Sequence, residues 1–187
     1  MKTVVYIDAF NLHYGACRAA GRRWLDASDP GAQDRQRLYH RALKTIPHLE
    51  IFLGRYIPKE VRGELVDPAP GEPRKRTVRT YEEKGTDVNL AARLLLDGFK
   101  GGYESAAVIS NDGDLKMPIE IVRTELRLPV TVVNPVLHRH RSAALSPDPL
   151  PANARFIRLS ARDVEECQFP DRLASPKGAK LKKPEGW

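Results

Sequence analysis

The sequence predicts an α/β fold with three layers, in which a mostly parallel central sheet is flanked by helices. Short apolar segments rich in β-branched residues alternate with longer helical segments along the 187 residues. Alternation of this kind is typical of βαβ units, whose strands run parallel and whose crossovers are right-handed. The hydrophobic fraction of 41% is enough for one substantial core, so one domain is expected.

The strands are predicted from short apolar segments that loops or helix starts interrupt. Between the second and the third strand, residues 59–74 are rich in proline, glycine and charge, which indicates a long excursion from the sheet. The predicted strands are residues 2–7, 50–57, 76–81, 105–109, 129–133 and 155–159.

The helices are located by their start and stop signals. Pro47 ends the second helix, Gly101 and Gly102 follow the third, and Pro118 lies near the start of the fourth. Asn134 and Pro135 are expected to begin the last helix, as its N-cap and first-turn residue. The predicted helices are residues 11–20, 34–46, 86–99, 115–126 and 136–144.

Residues 1–167 are predicted to form the domain, and residues 168–187 form a basic tail rich in proline and glycine. The tail contains four lysines and too few apolar residues to build a core of its own. It is therefore expected either to be disordered or to lie across the domain as a strap, with Trp187 as its anchor.

The composition excludes several classes of protein. No apolar run approaches the roughly 20 residues of a membrane span, and the N-terminus lacks the long apolar region of a signal peptide. Cys17 and Cys167 have no metal-ligand spacing, and two thiols favour a reducing compartment, so a cytoplasmic location is expected. The net charge of +7 favours a polyanionic partner such as nucleic acid, although charge alone is a weak signal.

Four aspartates lie where predicted strands end or where a helix begins. Asp8 follows the first strand, Asp87 opens the helix at 86–99, and Asp112 and Asp114 follow the strand at 105–109. The carboxyl ends of parallel strands meet at one edge of a sheet. Carboxylates brought together there repel one another, and a hard divalent cation would offset the repulsion. The sequence therefore predicts that these four aspartates bind Mg²⁺ or Mn²⁺.

Three neighbouring polar residues are predicted to support this site. Asn11 could hold Asp8 or a substrate phosphate, Lys84 could neutralise a carboxylate or hold the scissile phosphate, and Ser110 could bind a carboxylate. Ordinary capping explains several of the same residues, with Asn11 or Thr86 as an N-cap and Asp87 at the positive end of a helix dipole. Gly113 is expected to let the chain turn tightly between Asp112 and Asp114.

Substrate binding is predicted for the start of the last helix, which carries Arg139 and Arg141. This helix would begin at the carboxyl end of a strand, and helix N-termini and arginines both favour phosphates. The basic run 74–76 is a second candidate. Solvated charged surface is the alternative explanation for both.

Three motifs resemble the acidic motifs of NYN domains, a family of PIN-like nucleases with a Rossmann-like sheet. They are YIDAFN at 6–11, KGTD at 84–87 and SNDGDL at 110–115, and the closing segments 168–170 and 183–187 resemble the tails of bacterial stand-alone NYN proteins. Ala9 stands where the family usually has glycine, and Leu115 where it often has phenylalanine. The resemblance implies an Mg²⁺- or Mn²⁺-dependent (endo)ribonuclease, in which the aspartates hold metal and the metal activates water.

The resemblance implies RNA as the partner, with DNA left open, and a homodimer is compatible with it. Three other functions remain in competition. A nucleic-acid-binding module would keep the fold with little or no cleavage. A phosphatase-like enzyme would use Asp8 as its nucleophile, but Phe10 stands where the second aspartate is expected. A dinucleotide-binding enzyme would need a glycine-rich fingerprint after the first strand, and none follows it.

Overall fold

The structure, a computed structural model, describes residues 1–17, 19, 31–137, 145, 153–174, 178 and 180–184. Its centre is a parallel sheet of four strands. Helices flank this sheet, so the predicted three-layer α/β fold is confirmed. The four strands lie side by side in the order β1 (Thr3–Ile7), β4 (Ser105–Ile109), β5 (Val130–Asn134) and β6 (Ala154–Arg158).

The helices agree with the predicted ones most closely where the apolar pattern is longest. A π-helical turn, His13–Cys17, follows α1, and a 3-10 turn, Gly113–Leu115, precedes α4. Most of the helix predicted at 136–144 lies outside the described residues. A short helix at Ala161–Glu166 was not predicted. Ser160 is its N-cap and forms a capping box with Asp163. The helices are α1 (Ala9–Leu12), α2 (Ala32–Leu43), α3 (Thr86–Phe99), α4 (Lys116–Thr124) and α5 (Ala161–Glu166).

The core lies between the sheet and the helices α3 and α4. Val108 and Val132 project from neighbouring strands of the sheet, and Leu94 and Val122 come from the two helices. Strands that are covered in this way consist mainly of apolar residues, as β4 and β5 do. The core therefore fixes α3 against the sheet, and α3 carries Asp87 at its start.

Two predicted strands form a hairpin that is separate from the central sheet. β2 (Arg55–Glu64) and β3 (Lys75–Lys84) pair with each other in antiparallel register. The prediction that they belong to the alternating βαβ pattern was wrong, as was the excursion predicted for 59–74, much of which is strand. Every residue of β2 and the first seven of β3 are exposed. Charged side chains occur on both faces of the hairpin, and a parallel sheet would have to bury them.

The C-terminal segment contains a second hairpin, formed by β7 (Arg172–Ala174) and β8 (Lys180–Lys182). Leu181 is buried, and the ring of Phe169 lies edge-on to that of Tyr39 in α2, with 6.3 Å between centroids. Trp187, the predicted anchor, lies outside the described residues. Among the helices of the described ranges, none has the length and apolar character needed to cross a membrane.

Candidate metal centre

The register of the sheet brings the ends of β1 and β4 side by side. Ile7 is paired with Ile109, and the N–H of Asp8 donates to the carbonyl of Ile109 at 3.0 Å. One strand further, the N–H of Ser110 donates to the carbonyl of Val133 at 3.2 Å. The residues that follow these strands therefore leave the sheet at the same edge.

Asp8 is held in one orientation by two hydrogen bonds. Its side chain is buried, with 3% of the residue exposed. One carboxylate oxygen accepts from the backbone N–H of Asn11 at 2.9 Å, and the other accepts from the hydroxyl of Ser110 at 2.9 Å. Asp8 is thus the N-cap of α1, and the expectation that Asn11 caps this helix was wrong. The carboxylate is oriented before any ligand arrives.

A chain of asparagines fixes the loop that follows β4. The backbone N–H of Asn111 donates to the side-chain oxygen of Asn11 at 3.1 Å, and the amide of Asn134 donates to the side-chain oxygen of Asn111 at 3.1 Å. Asn134 is fully buried and accepts from the N–H of Val136 at 2.8 Å. Sequence analysis treated Asn134 only as a helix cap. Its position at the end of a strand, like that of Asp8, was the signal for a role in the site.

Asp112 and Asp114 lie on one turn but face different surroundings. The N–H of Asp112 donates to the hydroxyl of Ser110 at 3.0 Å, and its carboxylate accepts from the N–H of Asp114 at 3.0 Å. Asp112 is therefore the N-cap of the 3-10 turn, and Gly113 makes the expected tight turn without a positive φ. Asp114 is exposed, whereas Asp112 is half-buried.

Asp87 reaches the site because the chain turns sharply between β3 and α3. Gly85 makes this turn with φ of 97°, a conformation in which a side chain would be strained, and it is the N-cap residue of α3. Thr86, the expected N-cap, instead donates its hydroxyl to the carboxylate of Glu83. Asp87 lies in the first turn of α3, where the helix dipole favours a negative charge.

Three of the four predicted aspartates converge. One carboxylate oxygen from each of Asp8, Asp87 and Asp112 lies within 4.8 Å of the other two. Oxygens on opposite sides of a Mg²⁺ ion are about 4.2 Å apart, and those around larger cations are further apart. The spacing and the all-oxygen donor set therefore fit a hard divalent cation. Asp114 is not one of the three, although its charge acts on Asp87.

The crowding of charge is evident in the pKa of Asp87. Partial burial raises this pKa above its ordinary value, and the charges of Asp8, Asp112, Glu83 and Asp114 raise it further, in that order. Each of these effects disfavours the ionised form. A bound cation would reverse this preference, because it favours the carboxylate.

This shift predicts how stability depends on pH when the protein has no metal. Since the folded protein binds the Asp87 proton more tightly than the unfolded chain does, the contribution to stability is full below the unfolded pKa. The contribution is lost as pH rises through the raised folded pKa. We expect Asp87→Asn to be more stable than wild type near neutral pH, with a difference that shrinks as the pH is lowered. Urea unfolding in EDTA between about pH 4 and about pH 7 measures this difference, and a constant difference would contradict the assignment.

The remaining predicted site residues are placed differently. Ser110 is fully buried and binds Asp8, as described above. Lys84 is exposed at the end of β3, where its amine is 2.6 Å from the carboxylate of Glu82 and lowers the pKa of that group. The structure thus pairs Lys84 with a carboxylate, which is one of its two predicted roles, and the partner is Glu82. Arg139 and Arg141 lie outside the described residues.

Glu83 is an acidic residue near the site that sequence analysis missed. It lies on β3, and its carboxylate accepts a hydrogen bond from the hydroxyl of Thr86. Its charge contributes to the raised pKa of Asp87. Its place just before the Lys84–Asp87 motif was the available signal.

Comparison with known proteins bears mainly on the fold. No family model matches the chain. Over its whole length the chain is 25% identical to the 6-hydroxy-3-succinoylpyridine 3-monooxygenase HspA of Pseudomonas putida, covering 75% of that protein. Its fold is similar to the crystal structure of a protein of unknown function from Vibrio parahaemolyticus, with a TM-score of 0.51. That match covers 85% of this chain and 93% of the other at 18% identity.

Proposed function

We propose that this protein is a metal-dependent nuclease of the NYN type, with RNA as its substrate. The observation that carries the proposal is the convergence of Asp8, Asp87 and Asp112, whose oxygens lie within 4.8 Å of one another. These residues come from separate segments of the chain and share the carboxyl edge of a parallel sheet, where such folds bind ligands. The order of the three acidic motifs along the chain supports the same family.

The roles of the residues follow from their contacts. When bound, a Mg²⁺ or Mn²⁺ ion supplies positive charge to the phosphate and lowers the pKa of water, which makes hydrolysis feasible near neutral pH. Asp8, Asp87 and Asp112 hold the ion, and Ser110 holds Asp8 in position by the hydrogen bond to its carboxylate. Asp114 lies outside this group of three, and its charge acts on Asp87.

The charge distribution supports a polyanionic substrate. The chain has a net charge of +7, whereas the site itself is acidic. Basic surface around an acidic metal centre raises the local concentration of nucleic acid and leaves the centre to the cation. On the hairpin, Arg55, Lys59 and Arg76 alternate along one face with apolar residues.

The test is cleavage of labelled single-stranded RNA, hairpin RNA and single-stranded DNA by the purified protein. We expect RNA to be cut with Mn²⁺ or Mg²⁺ and to remain intact with EDTA, since the three carboxylates cannot act without a cation. Removal of EDTA by dialysis against metal should restore cleavage, which excludes loss of folded protein as the cause. RNA that is bound but never cut would instead favour a nucleic-acid-binding module, and cleavage that persists in EDTA would overturn the proposal.

A second candidate function is the oxygenation of a hydroxypyridine. The observation that favours it is the 25% identity, over the whole chain, to a protein named as a monooxygenase of 6-hydroxy-3-succinoylpyridine. A monooxygenase transfers one atom of O₂ to its substrate and reduces the other to water with two electrons from a donor. An oxygen electrode can measure uptake with this pyridine and a reduced nicotinamide. Uptake that requires both compounds, in a protein that leaves RNA intact, would replace the nuclease proposal.

A further inference from the structure

Three aromatic side chains contact one another where α1 meets the hairpin, and two of them are exposed. The rings of Phe10 and Tyr14 lie one turn apart, nearly parallel at 13°, with 6.5 Å between centroids. The ring of Tyr56 in β2 lies edge-on to Phe10, at 79° and 6.4 Å. Phe10, Tyr14 and Tyr56 are called the aromatic surface below.

The aromatic surface is carried by two elements that also lead to the candidate metal centre. Phe10 follows Asp8 by two residues and lies in the helix that Asp8 caps. Tyr56 is paired across the hairpin with Glu83, whose charge acts on Asp87. Two of the rings are therefore carried by the elements that position Asp8 and Asp87, namely α1 and the hairpin that leads into α3.

The rings pack against one another, but two of them stay largely open to solvent. Tyr14 is 50% exposed and Tyr56 is 56% exposed, although aromatic rings usually contribute most when they are buried. The contacts between the rings join α1 to the base of the hairpin, and they leave much of both tyrosines open to solvent. Exposed aromatic rings beside a phosphate site are the feature with which proteins stack the bases of single-stranded nucleic acid.

We propose that the aromatic surface stacks an unpaired base of the nucleic acid next to the bond that is cut, and so selects single-stranded segments. This inference rests on the proposed nuclease function and specifies its substrate. Bases in a duplex are already paired and stacked, and they cannot reach such a surface unless the helix opens. Any base can stack on an aromatic ring. The surface would therefore distinguish single-stranded from double-stranded nucleic acid more than it would distinguish one base sequence from another.

The test measures stacking separately from cleavage. A single-stranded RNA that contains 2-aminopurine, a fluorescent base quenched by stacking on an aromatic ring, is titrated with protein in EDTA. We expect quenching by wild type, about tenfold weaker binding by Tyr14→Leu and by Tyr56→Leu, and retained binding by Tyr56→Phe. The same RNA annealed to its complement should not be quenched.

The matched control is Phe99→Leu. Phe99 is 63% exposed but ends α3, about 18 Å along the helix axis from Asp87, so its replacement should leave quenching unchanged. Circular dichroism melts check that each variant is folded. Tyr14 lies outside the hairpin, so Tyr14→Leu does not change any residue of the hairpin. Equal quenching by wild type, Tyr14→Leu and Tyr56→Leu would overturn the inference, as would the absence of quenching by wild type. Because no cleavage is needed, failure of the nuclease proposal would not be mistaken for failure of stacking.

Discussion

Replacing Asp112 by asparagine is expected to reduce metal-dependent cleavage by more than about 100-fold, since loss of a residue that merely supports a metal ligand already costs about 10- to 100-fold. The replacement keeps the fold. Asparagine has a side-chain oxygen that can still accept the N–H of Asp114, and it is a good N-cap for the 3-10 turn. Removal of one crowded charge should also slightly raise the stability of the metal-free protein. Single-turnover cleavage and thermal melts, with and without Mn²⁺, measure these effects.

Asp114→Asn is the matched control for this variant. It removes the same charge from the same turn, but Asp114 is exposed and outside the group of three converging oxygens. We expect a loss of about tenfold or less, through the weaker negative potential at the site. Equal losses in the two variants would show that charge, and not metal ligation, is what the turn supplies. Asp8→Asn is a less clean test, because its new amide would face the hydroxyl donor of Ser110.

Replacing Leu94 by alanine is expected to have the largest effect on stability. Leu94 is fully buried in α3, and its carbonyl accepts the hydroxyl of Tyr103 at 2.8 Å. Loss of the side chain leaves a cavity between α3 and the sheet, at a cost of about 3 kcal/mol. A domain of this kind is stable by only about 5–15 kcal/mol, so the unfolding midpoint in urea should fall clearly.

Leu96→Ala provides the control in the same helix. Leu96 is 42% exposed, and the same truncation should cost less than about 1 kcal/mol there. Both variants replace leucine by alanine inside the same helix, so the change in helix propensity is the same. The difference between their losses of stability therefore reports how deeply each leucine is buried. If both variants lost the same stability, α3 would not be packed on the sheet as described, and the position of Asp87 would have to be revised.

The parts of the fold that could be predicted are those in which local pattern and burial agree. The strand at 105–109 and the helix at 86–99 were predicted with the bounds that the structure gives them, because both have long uninterrupted apolar patterns. The approach of Asp8 and Asp112 followed from one rule, that parallel strands end at a common edge. Asp87 follows β3, which lies outside the parallel sheet, so the rule does not explain its approach.

The hairpin could not be placed in this way. Its sequence contains β-branched residues and turn signals, which favour strands but do not say which partner each strand pairs with. Glu60 and Arg79 form a pair across the hairpin at 3.3 Å, and such exposed ion pairs contribute little to stability. Only the three-dimensional structure shows that β3 carries Glu83 toward Asp87. The contact between Tyr56 and Phe10 could not be predicted for the same reason, since the hairpin brings these two rings together.

The pairing of β1 with β4 has a consequence for the order in which the chain folds. Ser110 and Asp8 are joined by a hydrogen bond although they are 102 positions apart. Contacts of such separation require closure of a long loop before they repay its entropy, and chains rich in them fold slowly. The strands of the hairpin, β2 and β3, by contrast, are neighbours along the chain, so their pairing requires closure of a much shorter loop. Asp8 therefore joins Asp87 and Asp112 only when β1 docks beside β4, so the repulsion that Asp8 adds opposes this long-range step of folding.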